Sequence, residues 1–427
     1  MNKQSTKTVE LTCLENKLSQ GKPVIWFNPS WGHASVALKN SAFKKENFTE
    51  AVSNWRYFAP LLAKIFPETV ITDGKIDSNF VQIDAFSQTD ETLFVKCDHN
   101  LPGTGCIKAR GGVYEILMQA LSDYQGLRPD NPLILLSDDV KTHFSKRRIV
   151  VGSTGNLGFS VGIIARRLGY QVDVHMSHDA KAWKKNRLLE MGAKVHESTG
   201  DYSSAVSIAR ADSEKDSYSY FVDDENSPTL FLGYAAAAKD LAQQLTDLGI
   251  KVGPNNPLEV YLPCGVGGAP GGVAFGLTTL FGDNVRPILV EPVNSPSMLV
   301  QLLSGLDESV SVYDYGLSNQ TDADGLAVAR ASMLVAREMS GIAYAVATVP
   351  DDDLFIWSEH MWRVYGMRLE PSAAAGFAAY FLHRKTLKQI NNDLEPTRVI
   401  WTTGGSFLPP DEFEKILERG RSVSGTT

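Results

Sequence analysis

Short β-branched, apolar runs recur along the chain at Arg148–Ser153, Gln171–Met176, Leu258–Pro263, Pro287–Glu291 and Arg398–Thr403, and the stretches between them carry helical spacing. Strands that alternate with helices in this way pack as an α/β protein with mostly parallel sheets. Val151 to Met176 reads as one βαβ unit: an apolar strand, a glycine turn, a helix over Leu157–Leu168 with small and apolar residues on one face, and a second strand. A ligand site belongs at that turn, because open α/β sheets bind at the carboxyl ends of their strands. Leu248–Pro257, rich in Gly, Pro and Asn, reads as a surface connection, and Arg421–Thr427 as a frayed end. There is no internal repeat and no low-complexity tract.

With 427 residues, 43% of them hydrophobic, the chain can fill two or three cores. The net charge of -8 and pI near 5.6 leave no basic face for nucleic acid or an anionic membrane, so the expected partner is a small molecule. The first residues lack an apolar h-region and no run approaches ~18 apolar residues, which makes the cytoplasm the expected location. The four cysteines, Cys13, Cys97, Cys106 and Cys264, lack CxxC spacing, and the eight histidines form no HxxxH or HxH pair. Neither a disulfide framework nor a metal site is expected. Nothing in the sequence fixes the oligomeric state, and a monomer is compatible with it.

Three motifs carry chemistry. Val151-Gly-Ser-Thr-Gly-Asn-Leu-Gly158 follows a strand and opens a helix, where free N–H groups favour an anion. Its glycines (152, 155, 158) do not form GxGxxG and no ribose-binding acid ends the next strand, so a nicotinamide-dependent oxidoreductase is the weaker alternative. Ser153, Thr154 and Asn156 supply more polar groups than a plain turn needs. Cys264-Gly-Val-Gly-Gly-Ala-Pro-Gly-Gly272 follows a second strand, with five glycines between positions 265 and 272 and no GKS or GKT. Several backbone N–H groups in such a loop can cradle a fixed phosphate. Gly105-Cys-Ile-Lys-Ala-Arg-Gly-Gly112 sets Lys108 between glycine turns and the apolar helical run Val113–Leu121, a setting suited to a Schiff-base lysine. Together these are the parts needed to hold pyridoxal phosphate.

In order and separation the three motifs resemble the fold-type-II pyridoxal-phosphate enzymes, most closely the bacterial D-serine ammonia-lyase (D-serine dehydratase) family. The likeness extends to Trp55–Thr69, Val174–Ser177 with Ala182–Lys185, Val222–Ser227, Thr229–Tyr234, Ala323–Val328 and Arg368–Ser372, and covers about Ile25 to Pro410. It implies a two-domain fold like the tryptophan synthase β subunit. The larger domain would be residues 1–107 and 246–427, the smaller one residues 108–245, and the cofactor would lie between them.

By position, the resemblance makes Lys108 the Schiff-base lysine and base. Ser153, Thr154 and Gly155 become the substrate-carboxylate loop, and Asn156 the partner of the cofactor's phenolic oxygen. Gly265, Val266, Gly267, Gly268 and Ala269 become the phosphate cradle, and Thr403 the hydroxyl facing the pyridine nitrogen. A neutral hydroxyl there leaves the ring a poorer electron sink than an aspartate would, which favours elimination. The implied reaction removes the β-hydroxyl of D-serine to give pyruvate and ammonia, with D-threonine a second substrate and potassium an activator; the alternative within the class is a dehydratase for another small hydroxy-amino acid. The D configuration rests on the resemblance alone. Departures cluster near the lysine: Thr104 and Cys106, assigned to the substrate pocket, replace serines, Asn100 a histidine, Ala269 a glycine and Pro228 a basic residue. Two expectations follow from them. Ala269 costs on the order of 1 kcal/mol if the loop needs φ > 0 there. The Cys106 thiol, near a helix start and a cation, falls below the ordinary pKa of about 8.5 unless burial dominates.

Overall fold

The computed structural model describes residues 14–84, 92–124, 128–153, 155–178, 180–200, 202–390 and 394–425, so Cys13 and Thr154 lie outside the described residues. Its strands are β1 (Ile25–Phe27), β2 (Phe80–Asp84), β3 (Thr92–Lys96), β4 (Arg148–Gly152), β5 (Gln171–Ser177), β6 (Lys194–Ser198), β7 (Ser219–Val222), β8 (Leu258–Pro263), β9 (Val285–Pro292), β10 (Ala345–Val349) and β11 (Thr397–Trp401). They form a seven-stranded sheet in the order β1-β10-β9-β8-β11-β3-β2 and a four-stranded sheet in the order β6-β5-β4-β7. The small sheet is entirely parallel. In the large one only the edge strands β1 and β2 run antiparallel. The α/β, mostly parallel pattern predicted from the sequence is the one observed.

The helices that shape the site are α1 (Lys108–Asp123), α2 (Asn156–Leu168), α3 (Ala182–Glu190), α4 (Tyr202–Ser213), α5 (Pro228–Ala235), α6 (Gly268–Phe281) and α7 (Pro371–Ile390). Strand β8 shows why the large sheet forms where it does. Every residue of Leu258-Glu-Val-Tyr-Leu-Pro263 is buried, as a central parallel strand covered on both faces must be. Val260 and Leu262 enter the core shared with α6, while Tyr261 faces the second core under α7, following the two-residue alternation of a strand. The one charge in the run, Glu259, is fully buried and meets Arg286 of β9 and Arg398 of β11 at its own register position, at 3.5 and 3.2 Å. A buried charge is tolerated when it is paired in this way.

Helix packing uses small residues for close approach. A Cβ at Gly272 or Gly276 of α6 would lie 2.4 or 2.3 Å from the carbonyl oxygen of Phe231 or Ala235 in α5. A Cβ at Gly111 of α1 would strike the Tyr234 ring at 2.3 Å. Helix α1 thereby sits against α5 and, through Gly112, against Leu157, Ser160 and Val161 of α2. The core that includes Val151 and Val174 of the small sheet and Leu157 of α2 runs continuously into Val260 and Leu262 of the large sheet and Phe275 of α6. Among the described residues, no helix is long and apolar enough to cross a membrane.

Candidate active site

Parallel strands point their carboxyl ends the same way, and the glycine loops at 151–158 and 264–272 leave β4 and β8 at those ends, with the Lys108 segment reached from β3 and Thr403 just past the end of β11. They meet at a cleft lined by Lys108, Ser153, Asn156, Tyr202, Asp224, the run Gly265–Pro270, Asp324, Glu370, Ser372 and Thr403. The cleft and the solvent at its mouth together make up about 720 Å³ of space free of protein atoms.

Lys108 is the first residue of α1. Its position is fixed by backbone bonds on either side: Ile107 N–H donates to Thr403 O at 2.7 Å, and Cys106 bridges Gly404 in antiparallel fashion. Two residues on, the buried Arg110 donates to both carboxylate oxygens of Asp98, at 2.7 and 2.9 Å, and reaches Asp77 and Asp240. Helix α1 is therefore anchored just beyond the lysine. Lys108 Nζ lies 3.1 Å from Asp224 Oδ2, with side-chain exposures of 22% and 6%. The nearby Tyr202 hydroxyl is held far above its usual pKa by burial first and by the Asp224 carboxylate second.

The loop after β4 caps its own helix. Ser153 Oγ accepts from the N–H groups of Gly155 and Gly158, both at 2.9 Å. Gly155 adopts φ 133° as the α2 cap, with the Lys184 side chain filling the space a Cβ would need. Asn156 Nδ2 donates to Glu370 Oε1 at 3.0 Å. Lys184 of α3 pairs with Asp324 Oδ2 at 2.7 Å. Burial raises the Glu370 pKa more than Lys184 lowers it, and Asp324 adds to the rise.

The loop after β8 turns through Gly267 at φ 112° into α6, so the unsatisfied N–H groups of the first helical turn face the cleft. Ala269 lies inside α6 and is not among the residues with positive φ. The strain expected for its Cβ is therefore absent. Glycines 271 and 272 do not shape the anion loop at all: they permit close packing, Gly271 against Val335 and Gly272 against α5. Thr403 Oγ1, across the cleft, is buried without any hydrogen-bond partner. A buried hydroxyl of that kind lacks a ligand atom. The orphaned hydroxyl, the N–H cradle and the amine in one cleft fit a phosphorylated pyridine aldehyde.

Thr104 and Cys106 line a smaller recess that shares Asn156 and Glu370 with this cleft. Burial raises the Cys106 thiol pKa, only partly offset by Ser160 and Thr104 at 3.6 and 3.7 Å. The thiolate expected from the helix start is overridden by desolvation. Arg110 lies in the lysine motif, and Asp224, Glu370, Lys184 and Asp324 lie in stretches that carry the family resemblance, but none of the five draws a role from the sequence alone.

The profile of the family described as "Pyridoxal-phosphate dependent enzyme" matches residues 71–399. A "Probable D-serine dehydratase" of Rhizobium etli (strain CIAT 652) is 45% identical over 424 residues, 95% of each chain. One of Bacillus cereus (strain ATCC 14579) is 43% identical over 430 residues, 96% of this chain and 97% of its own. Holo diaminopropionate ammonia lyase from Escherichia coli superposes with a TM-score of 0.74 at 19% identity, covering 94% of this chain and 98% of that one. The processed threonine deaminase isoform 2 of Solanum lycopersicum gives 0.64 at 18% identity, covering 93% and 92%. Those two likenesses speak for the fold. The family match and the near-full-length relatives speak for descent, and this chain belongs to the pyridoxal-phosphate dependent enzymes.

Proposed function

We propose that the protein removes the β-hydroxyl of D-serine, giving pyruvate and ammonia, and accepts D-threonine as a second substrate. The observation that carries this reading is the meeting of Lys108 with the Gly265–Ala269 loop and the unpartnered Thr403 hydroxyl in one cleft. Identity of 45% to a probable D-serine dehydratase supports the substrate.

In this reading the main-chain N–H groups of Gly265 to Ala269 would hold the cofactor phosphate, and the Thr403 hydroxyl and the Asn156 amide would hold its ring through hydrogen bonds. Pyridoxal phosphate, when bound, supplies the electron sink that makes the α-proton of the amino acid removable. The Ser153–Gly155 loop at the α2 start orients the substrate carboxylate with its N–H groups. Lys108 Nζ takes the α-proton, and Asp224 at 3.1 Å stabilises the ammonium that results. The β-hydroxyl would then depart as water by taking the proton that Lys108 had removed, so that the amine returns to its neutral form.

The fold would divide into residues 1–107 with 246–427 and residues 108–245, with the cleft between, and the protein would work in the cytoplasm. Potassium is the expected activator. The test of the function is Lys108→Ala. The variant should fold, lose the visible absorption of the bound cofactor and turn over no D-serine. Full turnover would end the assignment, and turnover of L-serine in preference to D-serine by the wild type would end the choice of substrate.

A further inference from the structure

The small recess beside the cleft is lined by Thr104, Cys106, Phe159, Trp183, Arg187 and Phe407, and touches the cleft through Asn156 and Glu370. Arg187 is its unusual member. The guanidinium lies 3.7 Å from the Phe159 ring centroid and 4.1 Å from that of Phe407, two rings that meet edge to face. It makes no hydrogen bond or ion pair with any described residue, although it is only partly exposed. A half-buried guanidinium normally finds a carboxylate, because its N–H edge is otherwise desolvated without return. Aromatic faces satisfy the flat surfaces of the cation and leave that edge open.

The other charges lining the recess are matched: Lys184 is paired with Asp324, and Glu370 accepts from Asn156, while the exposed Glu190, three positions on in α3, acts on Arg187 through space without a hydrogen bond to it among the described residues. Burial lowers the Arg187 pKa only to about 10, so the cation persists at neutral pH. A second donor adds to the imbalance: the Trp183 indole Nε1–H is buried without an acceptor. The recess therefore holds two donors, one charged, and neither has an acceptor among the described residues.

We propose that this recess is the vestibule of the cleft and that Arg187 is a positioning residue that captures the carboxylate of the arriving amino acid before the Ser153–Gly155 loop takes it over. This rests on the reading of the cleft as the reaction site. A lone fixed cation between low-dielectric rings raises the local concentration of an anion and its rate of capture, by between ~10- and ~1,000-fold in the general case. A single charge at a small amino acid belongs at the low end. It acts on capture and not on the later proton transfer.

Holoenzyme carrying Arg187→Gln should show kcat/KM for D-serine reduced about 10-fold with kcat within about 2-fold, and a flatter dependence of kcat/KM on ionic strength. Arg187→Lys should recover most of the loss. A binding readout independent of turnover is the change in cofactor absorption on titration with glycine or D-alanine. Arg187→Gln should weaken both but leave the response to ethanolamine, which lacks the carboxylate, unchanged. Equal kcat/KM and equal salt dependence in variant and wild type would overturn the proposal, as would an equal loss for ethanolamine. A wild type that binds glycine and D-alanine yet consumes no hydroxy-amino acid would refute the proposed reaction while leaving the role of Arg187 measurable by the same titrations.

Discussion

Removing the charge of Lys184 should destabilise the protein by about 3 kcal/mol, and the loss should be tied to Asp324. The pair spans 2.7 Å with side-chain exposures of 3% for Lys184 and 28% for Asp324. At an effective dielectric near 20, such a contact is worth ~6 kcal/mol of Coulomb attraction, much of it offset by the desolvation of both ions. What is lost when one partner goes is larger than the net worth of the pair, ~3–5 kcal/mol, because the other charge is stranded. Lys184→Met keeps the stem that packs on Gly155 and strands Asp324, whose partial exposure lets water return, hence the low end. Asp324→Asn strands the more buried ammonium and should cost ~4 kcal/mol. Either loss is a large share of the ~5–15 kcal/mol that a native fold commands. Urea unfolding of both single variants and the double variant gives the coupling, expected near 2 kcal/mol, and Lys184→Met/Asp324→Leu should recover part of the stability. Losses that add within ~0.5 kcal/mol would show that the ions do not sense each other and would refute the reasoning.

Three further outcomes follow from particular residues. Ala269→Gly should lower stability by ~0.5–1 kcal/mol and should not tighten cofactor or inorganic phosphate, since the position is helical and glycine loosens it; tighter binding would contradict the observed backbone. Alkylation of the native protein should leave Cys97, Cys106 and Cys264 unmodified in peptide maps, because burial pushes all three thiols up, Cys97 to about 12; rapid labelling of Cys106 that substrate prevents would restore the thiolate reading. Glu291 is fully buried and its pKa is driven from 4.5 to about 8, so the folded state holds a proton that the unfolded chain releases; stability from this group is complete below pH 4.5 and is lost as pH rises through 8. Replacing it by Gln should flatten the pH dependence of unfolding in that window, and an identical slope in the variant would count against the buried proton.

The parts of the site that were legible in the sequence are those where backbone geometry restricts residue type. Gly267 at φ 112° and Gly155 at φ 133° can hardly be anything else, and a helix start after each announces an anion site. Even there the signal was mixed, since Gly271 and Gly272 belong to helix packing. The carboxylates were illegible because their partners are remote: Lys108 and Asp224 are 116 positions apart, Lys184 and Asp324 140, Asn156 and Glu370 214. No spacing rule spans such distances. Fold class came from the buried strands, with β8 found at its observed limits, whereas β6, Lys-Val-His-Glu-Ser, has no fully buried residue and so no apolar run to read.

The contacts across the mouth of the cleft are polar or cation–aromatic, while those behind it are apolar and continuous, and the difference bears on how a ligand is admitted. The bond from Asn156 to Glu370 occupies one of the two amide N–H groups and one carboxylate oxygen. A ligand oxygen that takes the other N–H leaves this bond intact. A ligand that pulls the amide away strands a carboxylate that burial already drives toward its protonated form, with Asp324 adding to the rise and Lys184 opposing it. Such a displacement would be accompanied by proton uptake at Glu370, and the proton would remove the charge that desolvation penalises. If Asn156 holds a ligand as proposed, its capture would be coupled to the charge of Glu370, whose pKa burial raises and which Lys184 and Asp324 influence in opposite directions.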